Sequence, residues 1–399
     1  MRISVVGIGA DGWDGLSPAG RTALLAADEV IGSRRQLDLL PADAPPRRAW
    51  PSPMAPAVDE LVARAGGSVC VLASGDPMLH GVGATLARRV APARLTVLPH
   101  VSAFGLVCAR LGWPAADVEL VSVVARPVEV VTRVLQPGRR IVVYATGAGG
   151  AAAVARFVCA QGYGISRFVV LERLGAADAQ VTEGRAAEFV TREWDPLHTV
   201  AIDCVPDPDA PLLARTPGLP DSVYDNDGAL TKWPVRAITL AALAPTPAAL
   251  LWDVGAGSGS VAIEWLRTEP TARAIAVEQR GDRRERIARN ALSLGVPWLE
   301  VVEGEAPAVL ATLPTPDAVF VGGGASAPGM LTACWQALRP GGRIVGNAVT
   351  LEGEAALVAA HAEHGGRLVR LEVAHAAPIG GFTGWRSQMP IVQWSATRR

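Results

Sequence analysis

Residues 251–265 read LWDVGAGSGSVAIEW, and the rest of the C-terminal half can be interpreted from this stretch. A short apolar run ends at Asp253, glycines follow at alternate positions from Gly255 to Gly259, and a helical pattern comes next. This order predicts a strand, a tight turn and a helix whose first N–H groups are free to bind a ligand. The spacing GxGxG differs from the GxGxxG of dinucleotide sites. An ordinary turn between a strand and a helix is the alternative.

With an acid directly before the turn, this stretch resembles motif I of class I S-adenosylmethionine-dependent methyltransferases. A second predicted strand, 274–277, ends in Glu278, at the distance expected of an acid that accepts hydrogen bonds from a ribose diol. For each acid alone, the alternative is a favourable charge at a helix N-terminus. The remaining strands of this half are predicted at 299–302, 318–321, 343–346, 368–374 and 389–394. Their order predicts a doubly wound, Rossmann-like α/β sheet with a ligand crevice at the strand C-termini.

The whole half resembles the small precorrin methyltransferase/decarboxylase of the class I type, and two further segments mark this resemblance. They read GLPDSVYDNDGALTKWPVRA at 218–237 and TGWRSQMPIVQWSA at 383–396. In the first segment, Thr231 is expected to cap a helix that has Pro234 in its first turn. Glu305 stands where many class I enzymes have Asp for the adenine amino group. The cofactor contacts that the resemblance implies are Thr231, Asp253, Gly255, Gly257, Ser258, Gly259, Glu278, Gly304, Glu305, Ala306 and Gly323.

The N-terminal half alternates predicted strands and helices, which is typical of an α/β fold. Three pieces follow one another in it: VVGIGADGWDGLS at 5–17, ASGDPMLHGVG at 73–83 and PHVSAFGLVCARLGW at 99–113. In this order they resemble the tetrapyrrole (precorrin/uroporphyrinogen) methylase family. That family has two α/β lobes with S-adenosylmethionine folded in the cleft between them. The resemblance implies cofactor contacts at Gly7, Gly9, Gly75, Asp76, Met78, Ser102, Ala103, Tyr144 and Ala145.

The first of these pieces departs from its family, because Gly9 is followed by Ala10-Asp11-Gly12 where the family usually reads GxGPGD. The departure affects which backbone groups of the loop face the ligand. For the SGDP sequence at 74–77, taken alone, the alternative is an ordinary turn with Asp and Pro at their usual positions.

A proline-rich connector, DCVPDPDAPLLARTPGLP at 203–220, separates the two halves. The sequence therefore predicts a tetrapyrrole methylase domain at 1–208, with lobes at 1–110 and 114–208. A class I methyltransferase domain is predicted at 209–399.

Composition limits the partners and the location of the chain. The formal net charge is −1 and no basic stripe is present, which argues against nucleic acid. The five cysteines have no metal-ligand spacing and fit buried thiols in a reducing cytosol. The longest uncharged run, 237–252, falls short of the roughly 20 residues that span a bilayer. A cytoplasmic homo-oligomer without metal, membrane or nucleic acid is expected.

Among the 37 basic residues only Lys232 is a lysine, and the others are arginines. A GC-rich genome explains this bias, and so does recognition of several carboxylates by planar guanidinium groups. The two explanations are compatible.

Together, the two resemblances point to a fused family of cobalamin biosynthesis. They imply that a reduced precorrin-6 is methylated at carbons 5 and 15 and loses the carboxyl group of its ring C acetate, giving precorrin-8. Two S-adenosylmethionine sites per chain are implied, with carbon 5 assigned to the N-terminal half and carbon 15 and decarboxylation to the C-terminal half.

Such chemistry needs positioning more than acid or base groups. Lys232, Arg236 and Arg386 are candidate carboxylate clamps, and Tyr224 with Asp225 is a candidate lid over the reaction. For each, a surface charge or a turn residue is the alternative. A methyltransferase for RNA or a protein side chain is a second hypothesis. A third is a chain in which one half is a non-catalytic scaffold.

Overall fold

The computed structural model describes residues 1–399, which divide into two units. The first unit comprises Met1–Val128 and Val134–Pro211, and the second comprises Glu129–Arg133 and Leu212–Arg399. The transition between Pro211 and Leu212 falls within the proline-rich connector. None of the α-helices has both the length and the apolar character that crossing a membrane requires.

The first unit contains two five-stranded sheets with helices between the strands. Its strands are β1 (Arg2–Ile8), β2 (Glu29–Gly32), β3 (Arg47–Ala49), β4 (Ser68–Ser74), β5 (Leu95–Leu98), β6 (Val118–Ser122), β7 (Arg140–Tyr144), β8 (Arg167–Glu172), β9 (Gln180–Arg185) and β10 (His198–Asp203). Its helices are α1 (Gly12–Gly15), α2 (Pro18–Leu25), α3 (Arg34–Asp38), α4 (Ala55–Ala63), α5 (Val82–Ala87), α6 (Ala103–Leu111) and α7 (Gly150–Ala160).

The two sheets give the unit its two α/β lobes, as the resemblance implied. The first sheet is parallel, in the order β3-β2-β4-β1-β5. The second has the order β6-β7-β10-β8-β9, in which β6 and β7 are parallel and the other pairs are antiparallel. The carboxyl ends of β1 and β4 meet at one edge of the first sheet, so the loops after Ile8 and Ser74 are neighbours.

The second unit is built around one seven-stranded sheet and a separate hairpin. Its strands are β11 (Leu250–Val254), β12 (Arg273–Glu278), β13 (Glu300–Glu303), β14 (Ala318–Val321), β15 (Arg343–Ala348), β16 (Arg367–Leu371), β17 (Ala374–Ile379), β18 (Phe382–Ser387) and β19 (Ile391–Thr397). Its helices are α8 (Trp233–Leu243), α9 (Ser260–Thr268), α10 (Gly281–Ser293), α11 (Met330–Ala337) and α12 (Leu351–His364).

The seven strands follow the order β13-β12-β11-β14-β15-β19-β16. The first five are parallel, and β19 is antiparallel to both of its neighbours. Alternate residues of β11 enter different cores, with Leu251 on one face of the sheet and Trp252 on the other. Both faces are therefore covered, as the continuous apolar run of this strand indicates. The predicted Rossmann-like fold is confirmed.

The region after residue 371 differs from the prediction. One strand was expected at 368–374 with a loop to 389, but β17 and β18 form a hairpin there. Gly380 and Gly381 make its two-residue turn, and Gly380 has a φ of 58°. The glycines and polar residues of GGFTGWRSQ suggested a loop because they lack the apolar alternation of a buried strand.

Candidate functional sites

The glycine turn of the second unit has the predicted strand–turn–helix structure. Gly255, Gly257 and Gly259 have φ values of 71°, 60° and 77°, and Gly259 directly precedes α9. A Cβ on Gly257 would also lie 2.8 Å from the carbonyl oxygen of Ala229. Both the positive φ and this close approach require glycine. The turn therefore brings the backbone of the loop that contains Ala229 against the carboxyl end of β11.

Glu278 ends the neighbouring strand β12 and holds this turn in place. It is buried; one of its carboxylate oxygens accepts the N–H of Gly257 at 3.0 Å, and the other accepts the N–H of Arg280 at 3.0 Å. Each oxygen keeps a further acceptor position. The carboxylate fixes the turn and can still accept the predicted hydrogen bonds from a ribose.

Asp253 lies at the end of β11 and has one unused carboxylate oxygen. Its Oδ2 accepts the N–H of Ala262 at 3.0 Å, whereas Oδ1 is buried and has no hydrogen-bond partner. Burial raises the pKa of Asp253 to about 7, and the negative charge of Glu278 acts in the same direction. A buried acceptor without a donor costs free energy. A cofactor that supplies a hydrogen-bond donor to Oδ1 fits the site. The Ser258 hydroxyl is likewise buried without a partner, and a cofactor could form a hydrogen bond with it as well.

The other cofactor residues implied for this unit lie on loops after neighbouring strands. Gly304, Glu305 and Ala306 follow β13, and Gly323 follows β14. A Cβ on Gly255 would lie 3.3 Å from the backbone nitrogen of Gly323, so the loop after β11 contacts the loop after β14.

Thr231 does not cap α8, because the capping position is Lys232 and no side chain caps the helix. That expectation for Thr231 is wrong.

The 225–227 turn is tied to α10 rather than free. Asp225 pairs with Arg289 at 2.9 Å, and Asp227 pairs with Arg283 at 2.9 Å. Hydrogen bonds to these arginines lower the pKa of both carboxyl groups. Asn290 adds a buried link, because its amide donates to the carbonyl oxygens of Asp225 and Ser258. The segment is thus anchored beside the glycine turn.

The structure contradicts the roles expected of Arg236 and Tyr224. Arg236 is fully buried, and its Nε donates to Glu264 of α9 at 2.6 Å. Tyr224 is also buried, and its hydroxyl donates to the same carboxylate at 2.9 Å. Both side chains are buried and their polar atoms bond to groups of the protein, so Arg236 does not offer a free guanidinium to a substrate carboxylate and Tyr224 is not a mobile lid residue. Both belong to a buried network that also includes the N–H groups of Gly218 and Leu219.

The two remaining clamp candidates lie on different elements. Lys232 is partly exposed at the start of α8. Arg386 is exposed on β18, opposite His375 in the hairpin, outside the seven-stranded sheet. Because they lie on separate elements, the secondary structure does not bring these two residues to one site. Their roles remain predictions.

The first unit has an open-mouthed cavity of about 420 Å³. Most of the cofactor residues implied for this unit line it. Gly7 and Met78 do not; Gly7 is buried beneath the loops, where a Cβ would clash with the carbonyl oxygen of Gly75, and Met78 is half-exposed. The implied residues that line the cavity are Gly9, Gly75, Asp76, Ser102, Ala103, Tyr144 and Ala145.

Tyr144 and several unpredicted side chains complete the wall of this cavity. The Tyr144 hydroxyl accepts the N–H of Phe104 at 3.0 Å, and burial raises the pKa of this phenol. The Tyr144 ring also packs edge-on against His80, with ring centroids 6.2 Å apart. Further polar residues line the cavity that were not among the implied cofactor contacts. Ser74 and His80 lie within the quoted piece at 73–83, whereas Arg35, Gln36, Ser122 and His198 lie outside the quoted pieces, and the fold brings them to the cavity.

Known proteins match both halves of the chain. A precorrin methyltransferase domain model matches residues 222–398, and a tetrapyrrole (corrin/porphyrin) methylase model matches residues 2–190. A precorrin-6Y C(5,15)-methyltransferase [decarboxylating] of Sinorhizobium sp is 46% identical over 400 residues, covering 99% of this chain and 96% of its own length. The protein of that name from Mycobacterium tuberculosis (strain CDC 1551 / Oshkosh) is 44% identical over 402 residues, with both chains covered completely.

A solved structure also resembles part of the chain. It is the C-terminal domain of precorrin-6Y C5,15-methyltransferase from Rhodobacter capsulatus, which is 49% identical. The match covers 47% of this chain and 100% of that one, with a TM-score of 0.45.

Proposed function

Because this chain belongs to the precorrin-6Y C5,15-methyltransferase (decarboxylating) family, we propose that its two units divide the two methyl transfers between them. The chain is an S-adenosylmethionine-dependent methyltransferase of cobalamin biosynthesis that methylates a precorrin at carbons 5 and 15 and decarboxylates it. In our proposal the first unit methylates carbon 5, and the second methylates carbon 15 and releases CO2. The substrate is a reduced precorrin-6 and the product is precorrin-8.

One observation carries the proposal: the chain has two structurally unrelated places suited to a cofactor. The first unit has a cavity of about 420 Å³, within the range of small-molecule sites. The second has a glycine turn beside Asp253, whose Oδ1 is buried and unpartnered. This arrangement supports our proposal of two S-adenosylmethionine sites per chain.

The residues of both sites position ligands more than they transfer protons. S-adenosylmethionine supplies a methyl group already activated on a sulfonium. In the second unit, Asp253 and Glu278 present carboxylate acceptors beside the glycine turn. In the first, Gly75, Ser102 and Ala103 line the cavity. Holding a nucleophilic meso carbon in line with the methyl group then provides most of the acceleration, as expected for reactions limited by orientation.

Isotope transfer tests the proposal directly. The full chain is incubated with a reduced precorrin-6 and S-adenosylmethionine labelled in its methyl group. Two labelled methyls per macrocycle and release of CO2 are expected, and calorimetry with S-adenosylhomocysteine is expected to count two sites per chain. One methyl and one site would support the hypothesis that one half is a scaffold. Salt-dependent RNA binding without precorrin methylation would favour the RNA hypothesis.

The pH dependence of cofactor binding gives a separate prediction for Asp253. If the ligand donates to Asp253, binding favours the ionised carboxylate, so affinity should fall as the pH drops below about 7. Calorimetry at pH 6 in two buffers of different ionisation enthalpy should show net proton release on binding of S-adenosylhomocysteine. The Asp253→Asn chain should lose this release. Equal proton release from wild type and variant would contradict the assignment.

A homo-oligomeric state, a cytoplasmic location, the domain boundary at 208 and the lack of a nucleic-acid partner remain predictions from the sequence.

A further inference from the structure

Arg35 is a cationic side chain in the wall of the first unit's cavity. It is the second residue of α3, the helix that follows β2. In the parallel sheet β2 pairs with β4, the strand that ends at Ser74. Both Arg35 and Ser74 line the cavity, together with the implied cofactor residues Gly75 and Asp76. The arginine therefore stands beside the loop assigned to the cofactor.

A set of hydrogen bonds orients this guanidinium. Arg35 Nη2 donates to Ser74 Oγ at 2.9 Å, and Gln36 Nε2 donates to the same oxygen at 3.1 Å. Gln36 is itself fixed, because its Oε1 accepts the N–H of Ser33 at 2.8 Å in a capping box. Since Ser74 Oγ accepts twice, its own proton is left to donate to a further acceptor. The guanidinium and this hydroxyl form a prearranged donor group.

The charge of Arg35 is not balanced by any carboxylate in contact with it. In the same lobe Arg48 and Arg64 both pair with Glu29, at 3.0 and 2.7 Å. Arg35 has no such ion pair. Burial lowers the pKa of its guanidinium, and the negative charge of Asp195, which is not in contact with it, acts in the opposite direction. A half-buried guanidinium with free donors facing a cavity is suited to a planar, anionic acceptor.

We propose that Arg35, with the Ser74 hydroxyl, binds a carboxylate of the ligand in the first unit's cavity. The inference rests on the proposed function, because a precorrin carries several carboxylates and S-adenosylmethionine carries one on its methionine end. Both sources offer the same chemistry, a carboxylate that takes two donors from the guanidinium fork. The experiment has one arm for each source.

Arg35→Ala is compared with wild type and with Arg34→Ala, an exposed neighbour on α3 outside the cavity. KM and kcat for methylation at carbon 5 are measured against the precorrin and against S-adenosylmethionine, with methylation at carbon 15 in the same chain as internal control. Calorimetry with S-adenosylhomocysteine measures cofactor binding without turnover. Arg35→Lys tests whether the fork is needed, and Ser74→Ala whether the hydroxyl contributes.

For a substrate carboxylate, Arg35→Ala should raise KM for the precorrin at carbon 5 by about tenfold to a hundredfold. The value of kcat, carbon 15 methylation and S-adenosylhomocysteine binding should not change. For the cofactor's carboxylate, S-adenosylhomocysteine binding should weaken by that factor at one of two sites. Unchanged values in both arms, or equal effects from Arg34→Ala, would overturn the proposal. If wild type does not methylate carbon 5, the proposed function fails in this unit, while calorimetric titrations of wild type and Arg35→Ala with S-adenosylhomocysteine and with the precorrin still decide whether Arg35 binds a carboxylate of either ligand.

Discussion

Replacing Arg236 by alanine is expected to lower the free energy of unfolding of the second unit by about 3–5 kcal/mol. The variant leaves the carboxylate of Glu264 buried without its cationic partner, and it removes the donors to Asp221 and to the carbonyl oxygen of Leu219. An uncompensated buried charge is far costlier than a lost surface pair. Differential scanning calorimetry of the full chain would show one transition moved to lower temperature.

Two matched variants make this result specific. Arg370→Ala removes an exposed pair with Glu372 in the same unit and should leave the melting temperature unchanged. Adding Glu264→Gln to Arg236→Ala removes the stranded charge and should recover part of the loss. If Arg236→Ala melts like wild type, the buried network does not stabilise this unit.

Replacing Asp253 by alanine is expected to reduce methylation at carbon 15 by about a hundredfold or more while carbon 5 methylation persists. The variant removes the acceptor for the N–H of Ala262 at the start of α9, and it removes the buried Oδ1 assigned to the cofactor. Labelled methyl groups per macrocycle should fall from two to one. Asp253→Asn keeps an oxygen for Ala262, so it separates support of the helix from contact with the cofactor.

Equal loss of both methylations in Asp253→Ala would show that the two units do not act independently. In that case the proposed division of the reaction between the units would have to be abandoned.

The sequence predicted those parts of the fold that depend on local pattern. The strand, glycine turn and helix of 251–265 are recognisable because each depends on residues that are close together in the sequence. A strand covered on both faces needs a run of apolar residues, and backbone at positive φ needs glycine. Glu278 was predictable because it ends the next strand, and parallel neighbouring strands bring their carboxyl ends to one edge.

The parts that failed depend on partners far away in the sequence. Its sequence context makes Arg236 a candidate carboxylate clamp, because no residue near it shows that Glu264, on another helix, enters the same core. Asn290 was missed for the same reason, since its role comes from the carbonyl groups of Asp225 and Ser258. Arg35 is one arginine among many, and only the fold distinguishes it as unpaired and facing a cavity.

The hydrogen bonds of Glu278 affect how tightly a ligand can bind at the glycine turn. Because this carboxylate already restrains the N–H groups of Gly257 and Arg280, the turn does not have to become ordered when a ligand arrives. Little conformational entropy is then lost on association, and more of the interaction energy appears as affinity. Glu278 thus contributes to recognition by limiting loop motion, even where it makes no contact with the ligand itself.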